Sequence, residues 1–169
     1  LSGALSEVGH GDVSRARKNA VVLGLTLVVI GFSAVALTKL VLPGMIERRS
    51  GHLVATSSVA GKYGLPMRSG YCAAKHALHG FYDTLRAEIW KYDIKVSLLV
   101  VGSIRTQVSL HALTGDGGSW GTMDRYQDVG MSPEEAASII LRGLARNKEE
   151  IAVGRGRAMQ ALKLKRFFP

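Results

Sequence analysis

The sequence predicts an α/β protein built around a parallel sheet. Segments with the apolar period of helices alternate with short apolar segments typical of strands. The two longer strand-like segments, 52–57 and 95–101, are largely continuous apolar runs, the pattern of parallel strands buried on both faces. With 169 residues, of which 47% are hydrophobic and 20 are glycine, the chain is long enough for one domain with a packed core.

Helices and strands alternate through the rest of the chain. The predicted order is a helix ending near Arg48, a strand at 52–57, a helix at 71–90, a strand at 95–101, a loop at 102–131, a helix at 133–147 and a short strand at 151–153. The start of the third helix is the clearest boundary, because Ser132 supplies an N-cap, Pro133 occupies the first position and Glu135 stands three residues after the cap.

The segment 20–38 contains nineteen residues without a charge, which is just long enough to cross a bilayer. Basic residues flank both of its ends, as they do at many membrane spans. The same run also fits a helix packed on the sheet, so the sequence leaves both interpretations open. Residues 1–19 have no sustained apolar period and are predicted to be a loop or a frayed segment.

The formal net charge of +9 is compatible with an anionic cofactor, an anionic membrane surface or nucleic acid. Aromatic residues make up only 7% of the chain and no basic cluster is interleaved with them, so no nucleic-acid partner is expected. The densest basic stretch, 155–168, fits either a helix on a membrane surface or a solvated helix face. The single cysteine, Cys72, excludes an intrachain disulfide, and no metal site is predicted.

Three side chains in the middle of the chain point to acid/base chemistry. Tyr71 and Lys75 stand at positions i and i+4, so a helix over this segment places them on one face. An ammonium beside a phenol favours the phenolate, which is what a tyrosine general acid/base requires. Ser58 stands thirteen residues before Tyr71, at the end of an apolar strand, where its hydroxyl could reach a substrate carbonyl.

From about Phe32 onward the sequence resembles the later part of a short-chain dehydrogenase/reductase, most closely the member 7B-like branch of that family. The matching segments are ALTK at 36–39, LPGMI at 42–46, SSVAGK at 57–62, YCAAKH at 71–76, LRAE at 85–88 and GSIRT at 102–106. The resemblance implies the C-terminal part of a Rossmann-type doubly wound parallel sheet whose first strands are missing. Residues 32–169 would then form the catalytic half of the domain.

The resemblance also implies a role for each matching residue. Tyr71 would be the catalytic acid/base, Lys75 would hold the nicotinamide ribose, and Ser58 would orient the substrate carbonyl. The segment 102–106 matches the loop that contacts the nicotinamide, so Gly102, Ile104 and Thr106 are candidate cofactor-binding residues together with Tyr71 and Lys75. Val101 stands where the family usually has proline, a change that relaxes the backbone without abolishing the loop.

One family feature is missing from the sequence. A dinucleotide fold needs a glycine-rich turn between its first strand and helix, and no Gly-x-x-x-Gly-x-Gly pattern occurs in the chain. The family's Asn-Asn-Ala-Gly run is absent as well, and the partly apolar segment 1–31 has no counterpart in the family. We therefore expect an N-terminally truncated fragment.

The resemblance implies an NAD(P)-dependent oxidoreductase that transfers hydride between an alcohol and a carbonyl, with NADP expected and NAD as the other choice. The expected partners are a small alcohol or carbonyl compound, lipid-like compounds included, and a second copy in the complete protein. The alternative function is a non-catalytic, membrane-associated or partner-binding remnant. The expected location is cytoplasmic or membrane-associated, at the endoplasmic reticulum if the source is eukaryotic.

Overall fold

The computed structural model describes residues 24–25, 28–66, 68–112, 118, 121–123 and 125–165. Its centre is a parallel three-stranded sheet in the order β1 (Gly51–Ser58), β2 (Ile94–Val101) and β3 (Glu150–Val153). β1 and β2 pair along their whole length, with Gly51 opposite Ile94 and Ser58 opposite Val101. β3 pairs with the second half of β2. The predicted parallel sheet is confirmed.

Helices connect and flank these strands. They are α1 (Ser33–Glu47), preceded by a π-helical turn at Val28–Phe32, then α2 (Ser69–Ile89), α3 (Arg125–Asp128), α4 (Pro133–Ala145) and α5 (Arg157–Leu164), with short 3₁₀ turns at Val59–Gly61 and Trp90–Tyr92. α2 makes the crossover from β1 to β2, and α4 makes the crossover from β2 to β3. Parallel strands require such crossovers.

The sheet carries a hydrophobic cluster on each face. Successive residues of a strand point to opposite faces, and Leu98 and Leu99 accordingly belong to different clusters. The first cluster joins the sheet to α2 and consists of Leu53, Ala55, Leu78, Tyr82, Leu85, Ile89, Ile94, Val96 and Leu98. The second joins it to α4 and includes Leu99, Met131, Ala136, Ile151 and Val153. A buried hydrogen bond of 2.8 Å between Thr38 Oγ1 and Tyr82 Oη links α1 to α2.

Most predicted boundaries agree with the structure to within two residues, and the differences have local causes. α2 begins at Ser69 rather than at 71. α4 ends at Ala145 rather than at 147, because Asn147 adopts a left-handed φ of 50°. The amides of Asn147 and Lys148 then bond the carbonyls of Leu144 and Gly143, and this Schellman arrangement closes the helix.

The predicted loop at 102–131 is more ordered than the sequence indicated. It contains α3, and Ile104 forms an isolated parallel bridge with Met131. The amide of Arg105 donates to the Met131 carbonyl at 2.8 Å, and the Met131 amide donates to the Ser103 carbonyl at 3.0 Å. These bonds attach the segment after β2 to the segment before α4.

Among the described residues, one helix is long and apolar enough to cross a membrane. It runs from Val29 to Glu47 with a mean hydropathy of 1.9, and most of it is exposed. The expected segment 20–38 lies partly outside the described residues, and 1–19 and 166–169 lie wholly outside them. Core helices of soluble proteins can have the same length and composition, so the helix by itself assigns no membrane span.

Candidate active site

Ser58 lies at the carboxyl end of β1, where the strand turns into the 3₁₀ segment Val59–Gly61. Its backbone is extended, and its Oγ accepts a hydrogen bond of 3.2 Å from the amide of Ala60. The side chain is largely buried, with 9% of its surface exposed. This cap fixes the Ser58 oxygen and leaves its O–H able to donate to another group.

α2 brings Tyr71 and Lys75 together as the sequence predicted. The Lys75 Nζ lies 5.7 Å from the centroid of the Tyr71 ring, within the range of a cation–π interaction. Both side chains are half-buried. The ammonium is thus held beside the phenol ring by the i, i+4 spacing of the helix.

Lys75 also contacts β1 directly. Its Nζ donates a hydrogen bond of 2.7 Å to the Thr56 carbonyl, two residues before Ser58. Burial lowers the pKa of Lys75 from its ordinary value, because the charged form loses hydration. The ammonium is therefore fixed beside the end of β1 and protonates less readily than a surface lysine.

Sequence reasoning missed a second polar contact between β1 and α2. Ser57 Oγ lies 3.0 Å from His79 Nε2 and 3.3 Å from the Lys75 carbonyl oxygen, and both side chains are buried. Burial is the largest cause that lowers the pKa of His79, and Lys62 lowers it further. The available signal was the spacing: His79 follows Lys75 by four residues, as Lys75 follows Tyr71.

The loop after β2 lies at the same edge of the sheet as Ser58, since Val101 pairs with Ser58. Gly102 is closely packed: its amide donates to the Val153 carbonyl at 2.8 Å, and a Cβ there would lie 3.1 Å from Met159 Sδ. Ile104 is half-buried and packs against the α4-side cluster. Thr106 is exposed.

Surface pockets occur elsewhere in the described part of the chain. Two surface pockets, of about 310 and 150 Å³, have no lining residue in common with Ser58, Tyr71 and Lys75. Ser58 ends β1 and Lys75 is bonded to it, and β1 pairs only with β2 in the described part of the chain. The described residues also contain no group of three or more His, Cys, Asp or Glu that could hold a metal ion.

Comparisons with known proteins identify the family. The family model described as short chain dehydrogenase matches residues 25–114. The chain belongs to the short-chain dehydrogenase/reductase family. It is 48% identical over 122 residues to Dehydrogenase/reductase SDR family member 7B of Xenopus laevis, covering 72% of this chain and 38% of that protein. It is 46% identical over 143 residues to Dehydrogenase/reductase SDR family protein 7-like of Drosophila melanogaster, covering 85% and 44%.

The chain thus spans about two fifths of the length of these curated relatives. The predicted resemblance to the member 7B-like branch is confirmed.

Solved structures confirm the Rossmann-type fold. A short-chain dehydrogenase from Streptomyces avermitilis superposes with a TM-score of 0.68 at 24% identity, covering 98% of this chain and 60% of that one. One from Burkholderia cenocepacia, solved in complex with NADP, gives 0.64 at 18% identity, covering 82% and 51%. One from Sphingobium yanoikuyae, in complex with NADPH, gives 0.63 at 20% identity with the same coverages.

Proposed function

We propose that the protein is an NADP(H)-dependent oxidoreductase that transfers hydride between an alcohol carbon and a carbonyl carbon. The observation that carries this proposal is the placement of the Lys75 ammonium, 5.7 Å from the Tyr71 ring and bonded to β1 two residues before Ser58. An ammonium beside a phenol and a serine hydroxyl at the carboxyl end of a parallel strand are the parts that carbonyl reduction needs.

The residues fit a nicotinamide cofactor, which when bound supplies or accepts the hydride. Ligands of open α/β sheets bind beyond the carboxyl ends of the strands, and Ser58 and Gly102 lie there on adjacent strands. An ammonium has three N–H donors, so the bond from Lys75 to Thr56 leaves donors for ribose hydroxyls. The Gly102 amide is already bonded to Val153, so Gly102 would contribute close backbone approach rather than a hydrogen bond.

Tyr71 would move the substrate proton. In reduction its hydroxyl donates to the oxygen that gains negative charge, and the nearby ammonium stabilises the phenolate that remains. Ser58 would hold the same substrate oxygen, because its Oγ accepts from Ala60 and its O–H is directed elsewhere. In oxidation Tyr71 accepts the proton instead.

The proposed cofactor and partners are as follows. NADP is favoured over NAD because two solved relatives are complexes with NADP and NADPH. The substrate would be a small alcohol or carbonyl compound, lipid-like compounds included. Ile104 and Thr106 would contact the nicotinamide. α1 exposes Leu37, Leu40 and Val41, an apolar surface that would be covered in a homodimer.

An NADPH titration followed by fluorescence tests this function on the purified protein and on Tyr71→Phe, Lys75→Ala and Lys91→Ala. Lys75→Ala should weaken binding about tenfold or more, the loss expected when a charged hydrogen-bond donor is removed. Tyr71→Phe should bind almost normally and lose turnover. Lys91→Ala is the matched control, because Lys91 also lies over a tyrosine ring, 5.3 Å from that of Tyr92, but precedes Ile94, which pairs with Gly51 at the amino end of β1. Equal NADPH binding by the wild type and Lys75→Ala would refute the proposal.

A membrane-associated, non-catalytic remnant is the second candidate. The exposed apolar helix from Val29 to Glu47 favours it. Alkaline carbonate extraction of cell membranes tests the membrane part of this candidate: a spanning chain stays in the pellet, whereas a soluble or peripheral chain is released. A pelleted chain that binds NADPH would be a membrane-bound enzyme, and one that binds none would be the remnant.

A further inference from the structure

Three side chains lie on the same face of α2 at intervals of four residues: Tyr71, Lys75 and His79. The proposed reaction uses the first two and leaves His79 without a role. We propose that His79 is a positioning residue that acts through Ser57 to fix the helical turn of Lys75 against the end of β1. This inference rests on the proposed function, since it concerns how the Tyr71–Lys75 pair is held.

The hydrogen bonds form a directed chain. The Ser57 hydroxyl uses its one hydrogen to donate to the Lys75 carbonyl at 3.3 Å. Toward His79 the Ser57 Oγ must therefore accept, and the donor is a protonated Nε2 at 3.0 Å. If Ser57 donated to Nε2 instead, the neutral ring would carry its proton on Nδ1. That buried N–H would have no acceptor, which is rarer in folded proteins than an unpaired acceptor. The chain therefore runs from the imidazole through the Ser57 hydroxyl to the backbone of Lys75.

A third element closes around this chain. A Cβ on Gly61, in the 3₁₀ turn after Ser58, would lie 2.5 Å from Ser57 Oγ, 2.8 Å from the Lys75 carbonyl oxygen and 2.9 Å from His79 Cδ2. The turn that carries the Ser58 cap thus rests on the same three groups that join β1 to α2. A shift of the imidazole would move both Lys75 and the segment after Ser58.

His79 Nδ1 is buried and has no hydrogen-bond partner among the described residues. An apolar side chain of similar size would remove that unpaired atom, but it would also leave the buried Ser57 Oγ without its partner on α2. What leucine could not replace is the bond from Nε2 to Ser57.

Burial and the nearby Lys62 ammonium lower the pKa of His79 and so favour its neutral imidazole. His76 lowers the pKa slightly, and Glu150 and Asp83 oppose the lowering. Lys62 and Glu150 also form an ion pair of 2.5 Å with each other, which partly cancels their separate effects on the ring. The neutral ring has one donor and one acceptor, as the hydrogen-bond chain requires.

The test is competitive labelling of lysines with acetic anhydride across pH, read by mass spectrometry on the full chain. In His79→Leu the Lys75 turn should loosen and the ammonium gain water, so the labelling midpoint of Lys75 should move up by at least about 0.3 pH unit relative to the other lysines. His79→Gln, which keeps a donor near the Nε2 position, should restore the wild-type midpoint. His76→Leu is the matched control, because His76 is exposed on the same helix and its ring bonds the Cys72 carbonyl of its own helical turn, not β1.

Leu78→Ala separates positioning from stability. Leu78 is a core neighbour of His79, and its truncation lowers stability without touching the Ser57 bond. A Lys75 shift in His79→Leu that is absent from Leu78→Ala and reversed in His79→Gln supports the proposal. An unchanged Lys75 midpoint in His79→Leu, or an equal shift in Leu78→Ala, overturns it. NADPH binding by the wild type is measured separately. If the wild type binds no NADPH, that counts against the proposed function, and the labelling still decides the role of His79.

Discussion

Two helical glycines, Gly143 in α4 and Gly80 in α2, should respond in opposite ways to the same substitution. Helix propensity favours alanine over glycine by about 1 kcal/mol in a helix interior. Beyond the neighbouring backbone of α2 itself, no atom lies within 4 Å of the position that a Cβ on Gly80 would occupy. Gly80→Ala should therefore gain roughly 0.5–1 kcal/mol in the free energy of unfolding.

At Gly143 the surrounding side chains turn the expected gain in the free energy of unfolding into a loss. A Cβ there would lie 2.6 Å from Ile151 Cδ1, 2.8 Å from Cγ1 and 3.0 Å from Cγ2, so three side-chain carbons of one residue would have to move. Ile151 is 3% exposed and packed in the cluster between β3 and α4, so it has little room. Overpacking of this kind costs about 1–3 kcal/mol. The propensity gain of about 1 kcal/mol offsets part of that cost, so Gly143→Ala should lose up to about 2 kcal/mol in the free energy of unfolding.

Urea unfolding followed by circular dichroism measures both variants under one condition. Ile151→Val removes Cδ1, the closest contact, so the double variant Gly143→Ala/Ile151→Val should lose less than the sum of the single losses. Gly143→Ala with a free energy of unfolding equal to that of Gly80→Ala would show that α4 does not pack on Ile151 as described.

Two further predictions concern protonation and helix capping. Burial lowers the pKa values of His79 and His52 in the folded state, so the unfolded chain binds more protons. The stability should therefore fall as the pH drops from about 6.5, the unfolded pKa, toward the lowered folded values. In His79→Gln the thermal unfolding midpoint should change less between pH 7 and pH 5 than in the wild type, and an unchanged pH dependence would contradict this. Ser132→Ala should lose about 1 kcal/mol in urea unfolding, because Ser132 Oγ accepts the Glu135 amide at 3.2 Å at the start of α4, whereas Ser132→Asp should keep the cap.

Local patterns explain which parts of the fold were predictable. The helix periodicity alone places Tyr71 beside Lys75, and the Ser132 cap alone fixes the first residue of α4. Both depend on residues within four positions of each other. The bridge between Ile104 and Met131 was missed because it joins segments far apart in sequence, and no local signal distinguishes such a segment from an open loop.

The Ser57–His79 contact was missed for a related reason. A serine before another serine and a histidine inside a helix are each ordinary, and only the packing of β1 against α2 brings them within 3.0 Å. The role of the exposed apolar helix α1 could not be settled from the sequence either, because a membrane span and a helix that packs on a partner require the same composition.

The topology of the β1–α2–β2 unit gives the two ends of α2 different surroundings: the first turns carry the candidate acid/base residues, and the last turns pack in the core. Because β1 and β2 are parallel, α2 runs back antiparallel to β1, so its first turns lie near the strand's carboxyl end and its later turns cover the sheet. Tyr71 and Lys75 are accordingly half-buried, whereas the later residues Leu85 and Ile89 belong to the core. His79 stands at the boundary and bonds the strand beside Ser58. A substitution of Tyr71 or Lys75 should therefore alter chemistry, one of Leu85 or Ile89 should alter stability, and His79 is where the two effects can be separated by experiment.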